Sequence, residues 1–170
     1  MLNEIKCRRS WRKYEERMPS DEEIEKVVQA GLMAPSAINS QKGIVVVIKN
    51  KEVRDALSKL NASIMGRPGD PFYGAPVVLL VAVEKWPLAD CDGAVMMENM
   101  MLEATHLGLG SCWVHRAKEE LESEEGRQIL SGAGIDFSRY QGVGHVILGY
   151  PVEGGGRDIA VKPNRSFYIE

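Results

Sequence analysis

Apolar residues recur along this chain with two periods, and the switches between those periods lay out its elements. Ile24, Val27, Val28, Gly31 and Leu32 fall at i, i+3, i+4, i+7 and i+8, one face of a helix over 19–34. Ser20 and Glu23 carry a capping-box signature, and Asp21, Glu22 and Glu23 suit the positive end of the helix dipole. Pro35 stops the helix. IVVVI (44–48) and VVLLVAV (77–83) are short, β-branched and apolar throughout, the pattern of strands covered on both faces. Val53, Ala56, Leu57 and Leu60 predict a helix over 51–60, and the Gly- and Pro-rich stretch 61–76 reads as a loop.

Residues 90–107 predict a long helix that is apolar on nearly every side, which places it centrally or at a subunit interface. SCWVH (111–115) and GVGHVILGY (142–150) read as a third and a fourth strand. The segment 117–131 reads as a polar surface helix, 2–8 as a helical turn or two, and GGGRD (154–158) as a flexible joint before the tail. Helices alternating with short buried strands indicate an α/β or α+β sandwich. No internal repeat, low-complexity tract or linker interrupts the 170 residues, so a single domain over 1–170 is expected.

Charge changes the picture little. The net charge of −3 argues against a nucleic-acid partner, which leaves the cations at 8–13 as a local feature. Cys7, Cys91 and Cys112 are odd in number and far apart, with no metal-ligand spacing. Reduced thiols, no apolar signal core in MLNEIKCRRS and no run long enough for a membrane span lead to the expectation of a cytoplasmic protein.

Two stretches carry candidate chemistry. CRRSWRKY (7–14) sets Arg8, Arg9, Arg12 and Lys13 around Ser10. Arginine forks match phosphate oxygens bidentately, although charge runs also occur as plain solvated faces. APSAINSQ (34–41) stands between a capped helix and a buried strand. Its Ser, Asn and Gln suit turn chemistry, and equally the edge of a heterocycle with alternating donors and acceptors. His106 and His145 read as satisfied core residues, Cys112 as a small buried hydrophobe, and Met96, Met97, Met100 and Met101 as core or interface packing. GLGSCW follows a helix rather than a strand and is a poor dinucleotide fingerprint.

Taken in order, RRS-x-R, the helix ending in APSAxNxQ, YGAPVVLLVAV, DGAVMMENMMLEATHLGLGSCWV and VILGYP with a basic KPNR resemble the nitroreductase family over essentially the whole chain. The resemblance implies an α+β fold: a nitroreductase-like sandwich with a mostly antiparallel central sheet, and the long helix at a homodimer interface. It implies FMN as cofactor and NAD(P)H as electron donor. Arg8, Arg9 and Ser10 align with residues that bind the FMN phosphate, and Arg12 with the base that reaches the pyrimidine end of the flavin. Pro35, Ser36, Ala37, Asn39 and Gln41 match a loop that packs on the flavin, typically from the other subunit. Trp113, Val114, His115 and Arg116 fall where the family's backbone passes flavin N5 and the dimethylbenzene edge; a packing role for His115 stands beside that one. Arg165, with Lys162, matches a C-terminal phosphate ligand.

The activity so implied is ping-pong hydride transfer through N5 to a nitroaromatic, quinone or similar small molecule. No side-chain nucleophile and no metal are required. The rivals are an FMN carrier or sensor with little turnover, another flavin reaction on the same fold, and a flavin-free interaction protein. Two departures bear on this: Lys42-Gly43 replaces the family's usual Pro-Trp or similar pair, which predicts a looser loop, and a short 61–76 region predicts a more open pocket.

Overall fold

The computed structural model describes residues 1–170. Its centre is one four-stranded sheet of order β1-β2-β4-β3, formed by β1 (Gly43–Ile48), β2 (Val77–Glu84), β3 (Gly110–Val114) and β4 (Tyr140–Gly149). All the named strand pairs are antiparallel. Helices α1 (Asn3–Cys7), α2 (Asp21–Leu32), α3 (Lys51–Met65), α4 (Ala89–His106), α5 (Ala117–Glu122) and α6 (Glu124–Ile129) cover it.

Two cores, one on each face, explain why β2 is apolar throughout, whereas β1 at the sheet's edge is only partly covered and leaves Val47 exposed. Val77, Leu79 and Val81 of β2 and Val146 and Leu148 of β4 face α2 and α4. Val78, Leu80, Ala82 and Ile147 face the opposite way, toward Leu57 of α3 and Leu121 of α5. Side chains alternate across a strand, so a strand with both faces covered has no position left for a polar residue. Met96, Met97, Met100 and Met101 all lie in the first core. Gly31 lets α2 approach α4 closely, since a Cβ there would meet Met100 at 2.7 Å. At Val81/Ala82 the β2–β4 register shifts, leaving Val143 as the extra residue.

The capping box forms: Glu23 N–H donates to Ser20 Oγ at 3.2 Å, and Ser20 N–H to Glu23 Oε2 at 2.8 Å. Three sequence expectations change. The loop proposed for 61–76 begins later, because α3 continues to Met65 before Gly66 caps it at φ 63. Asn61 and Ser63 look turn-like in isolation, but Leu60 and Asn61 are buried, and tertiary packing overrides the local preference. The helix expected over 117–131 breaks at Ser123, whose extended backbone and hydroxyl cap α6 by accepting Gly126 N–H at 2.9 Å. His106 is not in the core: its side chain is 64% exposed and pairs with Glu4 at 3.0 Å, pinning α1 to α4. No helix is long and apolar enough to cross a membrane.

Candidate functional site

The basic N-terminal segment is held by the sheet. After α1 the chain runs extended along the free edge of β3, where Ser10 bridges Ser111 in parallel and Trp11 N–H donates to the Ser111 carbonyl at 2.9 Å. Alternation along this extended stretch separates its cations. Arg9 and Trp11 turn toward Gly156, and the Arg9 guanidinium donates to the Lys6 and Arg8 carbonyls at 2.6 and 3.0 Å and pairs with Asp158 at 3.3 Å. Arg8, Ser10 and Arg12 turn the other way, toward Cys112. Arg8 has one distant partner, Glu98 at 3.9 Å. Arg12 donates to the Ser10 carbonyl at 3.2 Å and stands 5.8 Å from the centroid of the Tyr73 ring.

Two guanidinium groups and a hydroxyl therefore share one side of the segment, a donor set suited to a phosphate ester. Beside them the buried Ser111 Oγ has no hydrogen-bond partner. Burial pushes the Cys112 thiol up in pKa, against the opposing pull of Arg12, Ser10 and Arg8, so it is a protonated, inert thiol at neutral pH.

β3 leads directly from this segment into the turn Trp113–Arg116. The Trp113 indole nitrogen lies over Gly144, where a Cβ would come within 2.7 Å of it. The Trp113 and His115 rings are 5.7 Å apart. Val114 is buried, whereas His115 and Arg116 are exposed. Arg116 takes a left-handed backbone, φ 84, and its guanidinium pairs with Glu119 at 2.6 Å.

The loop after α2 forms a second cluster. Pro35, Asn39 and Gln41 are exposed; Ser36 and Ala37 are half-buried. Ile38, Asn39 and Gln41 all have positive φ (52, 53 and 48). A β-branched residue such as Ile38 rarely adopts this geometry; its side chain is exposed, and the backbone bonds on either side, Asn39 N–H to the Ser36 carbonyl at 2.9 Å and Ser40 N–H to the Ala37 carbonyl at 3.1 Å, close the turn around it. Gln41 N–H donates to Ser36 Oγ at 3.0 Å, and the Gln41 amide to Asn39 Oδ1 at 3.0 Å. Ala37 N–H donates to the buried Asp92 carboxylate at 3.0 Å. Pro35, Ser36, Gln41, Gly43, Asp92 and Met96 line a cavity of about 230 Å³ behind the loop.

The Lys42-Gly43 pair meets two neighbours from α4 and the turn before it. Lys42 Nζ stands 4.9 Å from the Trp86 ring, so the turn between β2 and α4 supplies an aromatic neighbour. Gly43 lies against Met96, which a Cβ would meet at 2.2 Å.

The 61–76 region is short but well organised. Asp70 accepts the backbone N–H groups of Phe72 and Gly74 at 2.9 and 2.7 Å and the Ser58 hydroxyl at 2.6 Å, and it pairs with Arg54. This turn delivers Tyr73 to Arg12. Burial raises the Asp70 pKa, but the Ser58, Arg54, Gly74 and Phe72 hydrogen bonds outweigh it and hold the carboxyl below its ordinary value.

The two clusters stay apart in the chain. The loop feeds β1, the basic segment docks on β3, and three strand spacings, about 14 Å, separate those edges. No hydrogen bond or ion pair links the two clusters. Lys162 and Arg165 lie on the exposed tail and form none with the rest of the protomer. Sequence reasoning passed over Asp92, Tyr73 and Asn61, whose contributions depend on partners far along the chain.

A protein-family model described as the nitroreductase family matches residues 5–71 and 66–150. Two archaeal proteins sharing the name "Putative NADH dehydrogenase/NAD(P)H nitroreductase" are similar. The one from Methanothermobacter thermautotrophicus is 29% identical over 97% of this chain and 84% of its own length. The one from Archaeoglobus fulgidus is 33% identical over 76% of this chain and 75% of its own. A crystal structure of a nitroreductase with bound FMN from Bacteroides fragilis superposes with a TM-score of 0.90 at 26% identity, covering 98% of this chain and 97% of that one.

Proposed function

The chain belongs to the nitroreductase family, and from that premise we propose that it is an FMN-dependent NAD(P)H oxidoreductase, a single FMN-binding domain acting as a homodimer. The observation that carries this reading is the grouping of Arg8, Ser10 and Arg12 along β3, continuous with the Trp113–Arg116 turn. When bound, FMN supplies hydride acceptance and donation at its N5. Arg8 and Ser10 hold the phosphate, joined by Arg165 and Lys162 from the tail. Arg9 serves the segment indirectly by fixing its backbone. Arg12, steadied by the Ser10 carbonyl and the Tyr73 ring, places positive charge beside the ring system's electron-rich end.

The loop residues Pro35, Ser36, Ala37, Asn39 and Gln41 complete the site from the second copy. The separation of the two clusters within one protomer supports this, as do the exposed apolar side chains Leu88 and Val95 on and beside α4 and Ile38 on the loop. One pocket then serves donor and acceptor in turn, with a nitroaromatic, quinone or similar small molecule as acceptor. The free thiols Cys7, Cys91 and Cys112 fit a reducing, cytoplasmic setting.

The test is the absorbance spectrum of the purified protein, followed by steady-state oxidation of NADH and NADPH with menadione and a nitrofuran. Stoichiometric oxidised flavin and parallel-line ping-pong kinetics are expected. A colourless protein that takes up no added FMN would overturn the reading. Bound FMN without NAD(P)H oxidation would instead establish a carrier.

A further inference from the structure

Behind the Trp113–Arg116 turn lies a polar cluster that the proposed reaction does not use. Asn61 of α3, Glu120 of α5 and His145 of β4 are each 0% exposed. His145 Nε2 is 2.9 Å from Glu120 Oε2, although the two are not aligned as a linear hydrogen bond. The Phe72 ring closes the other side of His145 at 5.1 Å. The Asn61 amide nitrogen donates twice, to Glu120 Oε1 at 2.6 Å and to the His115 carbonyl at 2.8 Å.

Packing alone does not explain this arrangement. A buried carboxylate, amide and imidazole carry a desolvation cost that their mutual contacts only offset. Here the contacts are incomplete, since Asn61 Oδ1 and His145 Nδ1 have no partner. Apolar side chains of the same volume would fill this space with no such cost. What they could not supply is an N–H donor for the carbonyl of residue 115.

That donor has a geometric consequence. The peptide unit is planar and trans, so the His115 carbonyl and the Arg116 N–H point in opposite directions. With the carbonyl drawn inward to Asn61, the Arg116 N–H faces outward. No backbone or side-chain acceptor in the protomer receives that N–H. The left-handed conformation of Arg116, φ 84, is disfavoured for a side-chain-bearing residue and needs such an anchor.

We propose that Asn61, itself held by Glu120 and His145, is a positioning residue that locks the His115–Arg116 peptide with its N–H turned toward the cofactor ring. The proposal rests on the functional reading above, which places this turn beside the flavin. Beside N5, where that reading puts this turn, a preorganised backbone donor would pair with the lone pair the oxidised ring presents and polarise it toward hydride, without reorganisation during the reaction; reduced N5, now carrying a hydrogen, would no longer accept it.

The experiment compares wild type with Asn61→Leu, which keeps the branched side-chain skeleton and removes both donors, as FMN-loaded dimers. The readouts are the two-electron potential of the bound flavin, anaerobic single-turnover reduction by NAD(P)H, and the KM for NAD(P)H. Asn61→Leu is expected to keep its flavin and to lose about tenfold in its preference for oxidised over reduced FMN, a potential higher by about 30 mV. The reduction rate should fall about tenfold, with KM changed less than twofold. An unchanged potential with a rate within about twofold of wild type would overturn the proposal, even if the melting temperature drops, because a purely structural role moves only the latter. Asn61→Ser, whose hydroxyl is too short to reach both acceptors, gives the same comparison should the leucine variant fail to fold. A wild type that binds no FMN fails at the earlier step and removes the functional reading, and the proposal with it.

Discussion

The Asp92 carboxylate accepts the backbone N–H of Ala37 at 3.0 Å, so the first turns of α4 hold a loop that lies 55 residues earlier in the chain. This bond crosses from the protein's central helix to a segment whose backbone is left-handed at Ile38, Asn39 and Gln41. Asp92→Ala frees the loop and removes a hydrogen bond to a charged group, a loss of about 2 kcal/mol. For a chain of this size that corresponds to a melting temperature lower by roughly 4–8 °C. FMN should also dissociate faster, as read by the return of flavin fluorescence. Asp92→Asn, which keeps a carbonyl acceptor, should lose less on both counts.

Alternation along the β3 edge makes neighbouring arginines behave differently. Arg8→Ala and Arg12→Ala should each weaken FMN binding by roughly 10–100-fold, the loss of one charge-assisted contact. Arg9→Ala should chiefly lower stability, because its guanidinium is spent on the Lys6 and Arg8 carbonyls and Asp158. Fluorescence titration of the apoprotein, beside thermal melts, separates the two effects.

Removing residues 157–170 tests whether Lys162 and Arg165 join Arg8 and Ser10 on the phosphate. Loss of FMN retention together with dissociation of the dimer is expected, measured by sedimentation and by flavin release on dilution. A truncated protein that stays dimeric and yellow would show that the tail cations are not phosphate ligands.

Gly142→Ala should disturb the site from behind. A Cβ there would sit 2.2 Å from the Ala117 carbonyl oxygen, a backbone atom that cannot swing aside. The first turn of α5 must shift, at a cost of about 1–3 kcal/mol. The Arg116 side of the turn shifts with it, so flavin reduction should slow along with the fall in melting temperature.

Asp70 gives the fold a dependence on acid pH. Its carboxyl titrates lower in the folded chain than the ordinary 3.8, so its contribution to stability is present above that value. The contribution is lost as the pH falls through the folded value. Asp70→Asn should therefore lower the melting temperature at pH 7 and flatten its decline below about pH 4, as followed by melts across pH.

The strands and the α2 cap were legible because their signals are local: a both-faces-buried strand must be apolar throughout, and a capping box spans four residues. The RRS and APSAINSQ segments stand out as candidate chemistry because their residue types are unusual for where they stand. Glu120 was not, since it sits within AKEELESEE, a run that reads as solvent-facing, yet its side chain is 0% exposed. Asn61 was not, because its role depends on a carbonyl 54 residues away. The contact of Lys42 with Trp86 was not legible either, because Trp86 lies 44 positions further along the chain.

The stitching of the N-terminal segment to the far end of the chain bears on how the protein is made. Ser10 bridges Ser111, Tyr14 bridges Pro151, and Arg12 N–H donates to the Gly155 carbonyl at 3.0 Å. The cations at 8–12 thus find their places only once partners more than 100 positions later in the chain have been made. A nascent chain stalled short of Pro151 leaves this segment without its long-range partners, so the segment is among the last parts of the fold to settle.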